Sequence, residues 1–283
     1  STAAALDALA AGRTEVASTG SSTVSTSSSL LSSGTTSSSE SVKQCYELAG
    51  EPNSQPGFNG VLFAKIDTGK AIPACKQAIS DDPSDSMLVN MLGRAYDSAQ
   101  NYPEARRAYQ QAIDAGNLYA LTNLAWFSIY GTDGAQDTDA GMSMFRKAAE
   151  AGNAYAQASI AWVYREGYAG VTKDVNEAAK WYTWSGEQGY ANAMASLGWM
   201  HREGVGLPQD YAKSLEWYRK AADAGDVNAM SSMGYAVQNG LGTAIDFNEA
   251  RRWYELAAKE NDYYSIASLA WLYESGNGVK QDF

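Results

Sequence analysis

"SLGWMHREGVGLPQDYAKSLEWYRKAADAGD", residues 196–226, reads as two amphipathic helices separated by a glycine-rich loop. Leu197, Met200 and His201 fall at i, i+3 and i+4 and form one inward stripe. Gly204 stops the first helix, Asp210 opens a second, and Gly225 stops that one. Outward from this stretch the same punctuation recurs. Gly131, Gly167, Gly204, Gly240 and Gly276 are spaced by 36, 37, 36 and 36 residues, and Gly116, Gly152, Gly189 and Gly225 by 36, 37 and 36. Asp137, Asp174, Asp210, Asp246 and Asp282 open the second helix of each unit. Asp174-x-x-Glu177 and Asp246-x-x-Glu249 have the spacing of capping boxes. Met144-Phe145, Trp181-Tyr182, Trp217-Tyr218 and Trp253-Tyr254 share one register inside those helices. Each unit is therefore helix A, a loop, helix B and a short turn. Neither helix can bury its apolar stripe alone, so neighbouring units must stack. Small residues at Ala125, Ala161, Gly198, Gly234 and Ala270 predict close approach between helices.

Residues 79–113 carry the same plan with a shorter loop, and Asp82 to Gly116 spans 34 residues, the tetratricopeptide (TPR) period. The recurring A…LG.MY..G.GV..D…A..WY..AA..G columns resemble the Sel-one-like repeat (SLR), a relative of the TPR. They cover residues 117–283 in four copies and part of a fifth. This resemblance implies an all-α fold, an α/α superhelical solenoid of TPR/SLR-type helix pairs that acts as an adaptor for protein partners. The expected organisation is an Ala-rich start and Ser/Thr-rich linker over 1–42, followed by the solenoid over 43–283. Within the solenoid, 43–82 form an N-terminal cap with an entering helix, 83–116 a TPR-like repeat, and 117–283 the SLR repeats. In the linker, 18 of the 24 residues from 18 to 41 are Ser or Thr, too polar a tract to form a core. The last unit breaks off at Phe283, where a helix B should begin, so further solenoid or a cap is expected beyond it.

Composition narrows the function. The net charge of −11 and the absence of a basic run argue against a nucleic-acid partner. No stretch of about 18 apolar residues is present to span a membrane. No cofactor or metal is expected, because one histidine and two distant cysteines make no ligand-spaced cluster. No serine has a lysine three residues later, the spacing that β-lactam-hydrolysing nucleophiles use. His201 shares a column with Ser128, Tyr164, Val237 and Tyr273, and it reads as a buried, hydrogen-bonded substitute for a tyrosine, not as a general base. The chain reads as non-enzymatic.

Trp199 recurs instead. Trp126, Trp162, Trp199, Tyr235 and Trp271 stand once per repeat on the helix A face opposite the stripe. Small polar residues (Asn123, Ser159, Ser196, Ser232 and Ser268) precede them by three, and Arg165 and Arg202 follow two of them by three. A helices of such superhelices line the concave wall, so these rings and arginines are the candidate protein- or peptide-binding residues. The other reading is that the rings fill space between adjacent A helices. Stacking of sugars on the same rings is a third possibility.

"CYELAGEPNSQPGFNGVLFAKIDTGKAIPACKQAI", residues 45–79, resembles a lead-in module ahead of TPR-like arrays in bacterial proteins, some of which carry a caspase-like peptidase domain upstream. That resemblance implies a Cys45–Cys75 disulfide and an extracytoplasmic, periplasmic or secreted location. Two separate buried thiols in a cytoplasmic protein are the alternative. The leading function is a non-catalytic scaffold. The alternative function is an accessory binding region of a larger bacterial hydrolase.

Overall fold

The computed structural model describes residues 40–50 and 63–277. Among them are thirteen α-helices and no strand: α1 (Glu40–Ala49), α2 (Thr68–Asp81), α3 (Ser86–Ser98), α4 (Tyr102–Asp114), α5 (Leu118–Tyr130), α6 (Thr138–Glu150), α7 (Ala154–Glu166), α8 (Val175–Glu187), α9 (Ala191–Glu203), α10 (Tyr211–Asp223), α11 (Val227–Asn239), α12 (Phe247–Lys259) and α13 (Tyr263–Ser275). The first described helix begins at Glu40. Most of the Ser/Thr-rich tract, Asp282 and the final residues lie outside the described residues.

Odd-numbered helices from α3 onward are A helices and even-numbered ones from α4 onward are B helices. Each A helix packs on its own B helix, and each B helix packs on the next A helix. Successive A helices also touch (α3 with α5, α5 with α7, α9 with α11, α11 with α13), and no pair of successive B helices touches to that extent. The A side is therefore the inner, concave side of an α/α superhelical solenoid.

Local chemistry sets the repeat. Gly204 closes α9 in the left-handed region, φ 69° and ψ 34°, with its N–H on Met200 O. Two residues on, Gly206 lies so near the start of α8 that an added Cβ would sit 2.3 Å from Val175 O. The loop then locks through the backbone: Asp210 N–H donates to His201 O at 2.9 Å. Asp137, Asp174 and Asp246 repeat that bond to Ser128, Tyr164 and Val237. It explains why the capping boxes form only halfway. Asp174 Oδ1 accepts from Asn176 N and Glu177 N, but its own N–H is already used, so Glu177 has nothing to return to. Glu177 accepts instead from Trp181 Nε1 at 3.0 Å and Lys180 Nζ at 2.9 Å.

The core is a file of rings from the B helices. Phe145, Tyr182, Tyr218 and Tyr254 are buried, at 0%, 1%, 3% and 0% exposure. The small column of the A helices receives them: an added Cβ on Gly198 would come within 2.6 Å of the Tyr218 ring, and one on Gly234 within 2.6 Å of Tyr254. Ring into backbone is the contact that joins the two helices of each unit.

At the N-terminal end, α1 and α2 are joined by the Cys45–Cys75 disulfide, both sulfur-bearing residues at 0% exposure. They share a core with Tyr46, Ala49, Ile66, Leu88 and Met91. Buried Arg94 donates from Nη1 to Ala49 O at 2.6 Å and ties α1 to α3. Nearby, burial pushes the Asp97 carboxyl up to about 6, against the smaller opposing pull of the Tyr109 hydroxyl and Arg94. A folded pKa above the ordinary 3.8 means that the folded chain binds the proton more tightly. The contribution of Asp97 therefore worsens as pH rises through that window. Asp97→Asn is expected to gain on the order of 1 kcal/mol over the parent at pH 7.5, after solvent screening, and nothing near pH 4. Urea midpoints of both proteins at the two pH values measure it, and an equal difference at both removes the explanation.

Candidate functional site

Trp126, Trp162, Trp199, Tyr235 and Trp271 come from α5, α7, α9, α11 and α13, one per A helix. The first three are half-buried, and the last two are 37% and 45% exposed. The row is not uniform. At its N-terminal end the rings pack on one another: Trp126 lies 5.1 Å from Tyr130, 4.9 Å from Phe145 and 5.6 Å from Trp162, centroid to centroid. Tyr168, on the short helical turn Tyr168–Gly170, closes the cluster at 5.6 Å from Tyr130 and 5.2 Å from Trp162. Ala169 beside it has φ 55°, a left-handed conformation unfavourable for alanine, and the Thr138 hydroxyl holds its carbonyl at 2.8 Å.

In the middle of the row the arginines bridge repeats. Arg165 lies over both Tyr182 and Trp199, at 5.7 Å and 5.8 Å, and Arg202 lies over Tyr235 at 5.9 Å. Each also pairs with its chain neighbour, Arg165 with Glu166 at 2.6 Å and Arg202 with Glu203 at 2.7 Å. These guanidinium groups work first as inter-repeat packing, through cation–π contact. Of the small polar column, Asn123, Ser159 and Ser196 are buried, and Ser232 and Ser268 are half-buried. Ser196, Ser232 and Ser268 lie beside the hydroxyls of Tyr182, Tyr218 and Tyr254, whose titration burial pushes upward.

At the C-terminal end the row opens. A cleft of about 620 Å³ runs along α9, α11 and α13, bordered by Arg202, Glu203, Tyr211, Tyr235, Asp262 and Tyr264. Tyr235 and Tyr264 stand edge to face at 6.4 Å, and Tyr264 is 51% exposed. Trp271 lies beyond, 6.5 Å from Phe247. Rings that are both apolar and hydroxylated, between a cation and two carboxylates, suit a polar peptide rather than a small apolar molecule.

His201 is buried and directs Nδ1 to Pro208 O at 3.2 Å, which puts the ring proton on Nδ1. Its role is to hold the loop. Among the described residues, no group of three or more His, Cys, Asp or Glu is placed to hold a metal ion, and no helix is long and apolar enough to cross a membrane. The columns of the sequence did not bring out Tyr264 and Tyr211 as members of the cleft. Tyr264 is the second residue of its helix and reaches the ring of Tyr235 only through the stacking of α11 on α13.

A family model described as Sel1 repeat matches residues 90–117, 118–153, 154–190, 191–226, 227–262 and 264–283. Among solved structures, a Sel1 repeat protein from Oxalobacter formigenes is 30% identical, covers 68% of this chain and 79% of its own, and superposes with a TM-score of 0.60. The protective antigen c5321 of uropathogenic Escherichia coli, which displays an SLR fold, is 24% identical at a TM-score of 0.60. That match covers 86% of this chain but only 50% of c5321. The immunity protein Pa5087 from Pseudomonas aeruginosa, 16% identical over 77% of this chain and 80% of its own, shares the fold at a TM-score of 0.56. No curated protein sequence matches the chain.

Proposed function

The chain belongs to the Sel1 repeat family, whose repeats build protein-interaction scaffolds, and from that premise we propose that it holds a protein segment along its concave A-helix face without catalysing a reaction. The observation that carries the reading is the open cleft at Arg202, Tyr235, Asp262 and Tyr264, where the aromatic row stops packing on itself. Trp126, Trp162, Arg165 and Trp199 support the wall, and Tyr235, Arg202 and Trp271 meet the partner. An extended peptide fits best, with its side chains between the rings and its ends of either charge near Arg202 and Asp262.

The experiment is affinity capture with the full chain beside its Tyr235→Ala/Tyr264→Ala variant. Both rings are at the surface, so the variant is expected to melt with the parent and to lose its partner, at about 2 kcal/mol per hot-spot ring. Equal retention by the two baits refutes the cleft. Capture lost by Trp126→Ala/Trp162→Ala only together with unfolding fits the wall role of those residues.

A second reading, an accessory region of a larger bacterial hydrolase, is supported by the cap: α1 and α2, closed by Cys45–Cys75, occupy the place of the lead-in module before the first repeat. The same bridge favours an oxidising, extracytoplasmic compartment.

A further inference from the structure

A second row of rings lies away from the ladder, at the N-terminal ends of the A helices. Tyr119 and Tyr155 stack at 6.3 Å with planes 21° apart, and Tyr155 meets Tyr190 at 6.1 Å. Tyr119 and Tyr190 of this row border a cleft of about 470 Å³ formed by the starts of α3, α5 and α7 and by the turns that precede α5, α7 and α9. Among the described residues no Asp, Glu, Lys or Arg lines it, in a chain with 32 acidic residues. The cause is visible at the caps. Asp85, Asp226 and Asp262 cap α3, α11 and α13, whereas α5, α7 and α9 begin at Asn117, Asn153 and Tyr190. The carboxylate that offsets the positive helix end at α3, α11 and α13 is missing from three successive A helices, whose caps line this cleft.

Asn153 supplies an unused donor there. It lines the cleft and is 6% exposed. Its Oδ1 accepts from Ala156 N at 2.8 Å, which fixes the amide and leaves Nδ2 as the donor. One unit earlier, Asn117 Nδ2 donates to Ser86 Oγ at 3.3 Å, and Ser86 is the first residue of α3. The first residue of α5 is Leu118, whose side chain accepts nothing, so Asn153 Nδ2 has no such partner. Tyr190 departs from the pattern in a second way. It makes no side-chain cap bond, its ring extends the row, and the first-turn amides of α9 lack the acceptor that α5 and α7 have. The B helices end at the same edge, and their carbonyl ends would oppose an anion. The turns consume those carbonyls: Asn117 N–H takes Ala112 O, Asn153 N–H takes Ala148 O, and Gln157 Nε2 takes Ala149 O.

We infer that this cleft binds an oxyanion, a carboxylate or a phosphate, through Asn153 Nδ2 and the first-turn amides of α7 and α9, with the tyrosine rings beside the group that carries it. The site stands apart from the concave ladder and does not depend on the peptide reading.

Amide nitrogen–proton spectra of the full chain, titrated with sodium acetate and separately with inorganic phosphate at constant ionic strength, test it. Saturable shifts are expected at 154–156 and 191–193, with none at the Asp-capped starts 227–229 and 263–265. Saturation by acetate alone assigns a carboxylate, and by phosphate alone a phosphate. Shifts that fail to saturate with either, or that appear equally at the Asp-capped helices, overturn the site. Asn153→Asp keeps a capping oxygen, as Asp226 does in its own repeat, so it is expected to melt with the parent and bind about tenfold more weakly. Tyr190→Asp, which adds a cap and a charge to α9, is expected to bind more weakly to a similar extent and serves as the second variant. Parental affinity in both variants overturns the proposal.

Discussion

Replacing Tyr218 by alanine is expected to cost about 3–5 kcal/mol and to loosen the C-terminal repeats before the rest. The ring is 3% exposed and lies on the backbone of α9, close enough that a Cβ on Gly198 would meet it at 2.6 Å. Gly198 opposite has no side chain to fill the space the ring leaves, so the site collapses poorly. Tyr218 also joins the core formed by Met194, Ala221, Ala222 and Met233, which holds α9, α10 and α11 together. Because each unit touches only its neighbours, losing this contact breaks the stack into two parts that unfold separately. Hydrogen exchange is expected to quicken across α10 to α13, with α3 to α7 protected as before. Tyr218→Phe separates the ring from its hydroxyl, which faces Ser232, and is expected to cost about 1 kcal/mol. A uniform loss of protection along the whole chain would refute the idea of independent units, and a cost for the alanine variant below that of the phenylalanine variant would refute the packing argument.

The repeat itself was legible because its signals are local. Left-handed glycines, aspartate caps and the small column each need one residue type at one place, so Gly204, Asp210 and Gly198 announce themselves. Even the half-formed capping boxes follow a rule the sequence states only partly: Asp174 and Glu177 have the right spacing, but the loop bond from Asp174 N–H to Tyr164 O decides what Glu177 can do. The site was less legible, because its character depends on how repeats meet. Nothing in the register of Trp126 and Tyr235 says that the first packs on Tyr130, Phe145 and Trp162 and the second stands 37% exposed. Arg165 and Arg202 look alike on paper as groove residues, yet both lie on rings of the adjoining repeat. The tyrosine at position 190 was the readable exception, a ring in a column of Asn and Asp caps, and it marks the second cleft.

Removing the disulfide is the other large perturbation. Cys45 and Cys75 close a loop with a sequence separation of 30, and opening it in the chain-entropy model is expected to destabilise the cap by about 3–4 kcal/mol. The packing around the bridge is thin. α1 has 10 residues, marginal for a helix by itself, and it buries only Cys45, Tyr46 and Ala49. Further ties, Arg94 Nη1 to Ala49 O, Tyr46 Oη to Asp85 Oδ2 at 3.2 Å and the Ser41 hydroxyl to the Asp81 carboxylate, hold α1 only while it is docked. In Cys45→Ala/Cys75→Ala, α1 is therefore expected to exchange its amides freely, and the urea midpoint of α1 and α2 to fall well below that of the repeats. Arg94, at 2% exposure, then loses its bond to Ala49 O, so the damage extends into α3. In the folded parent neither sulfur is accessible, so a reducing agent is expected to act only through opening of the cap, at a rate that rises with urea. Equal midpoints for the parent and the double variant, or reduction at a urea-independent rate, would show that the bridge carries no weight in the cap.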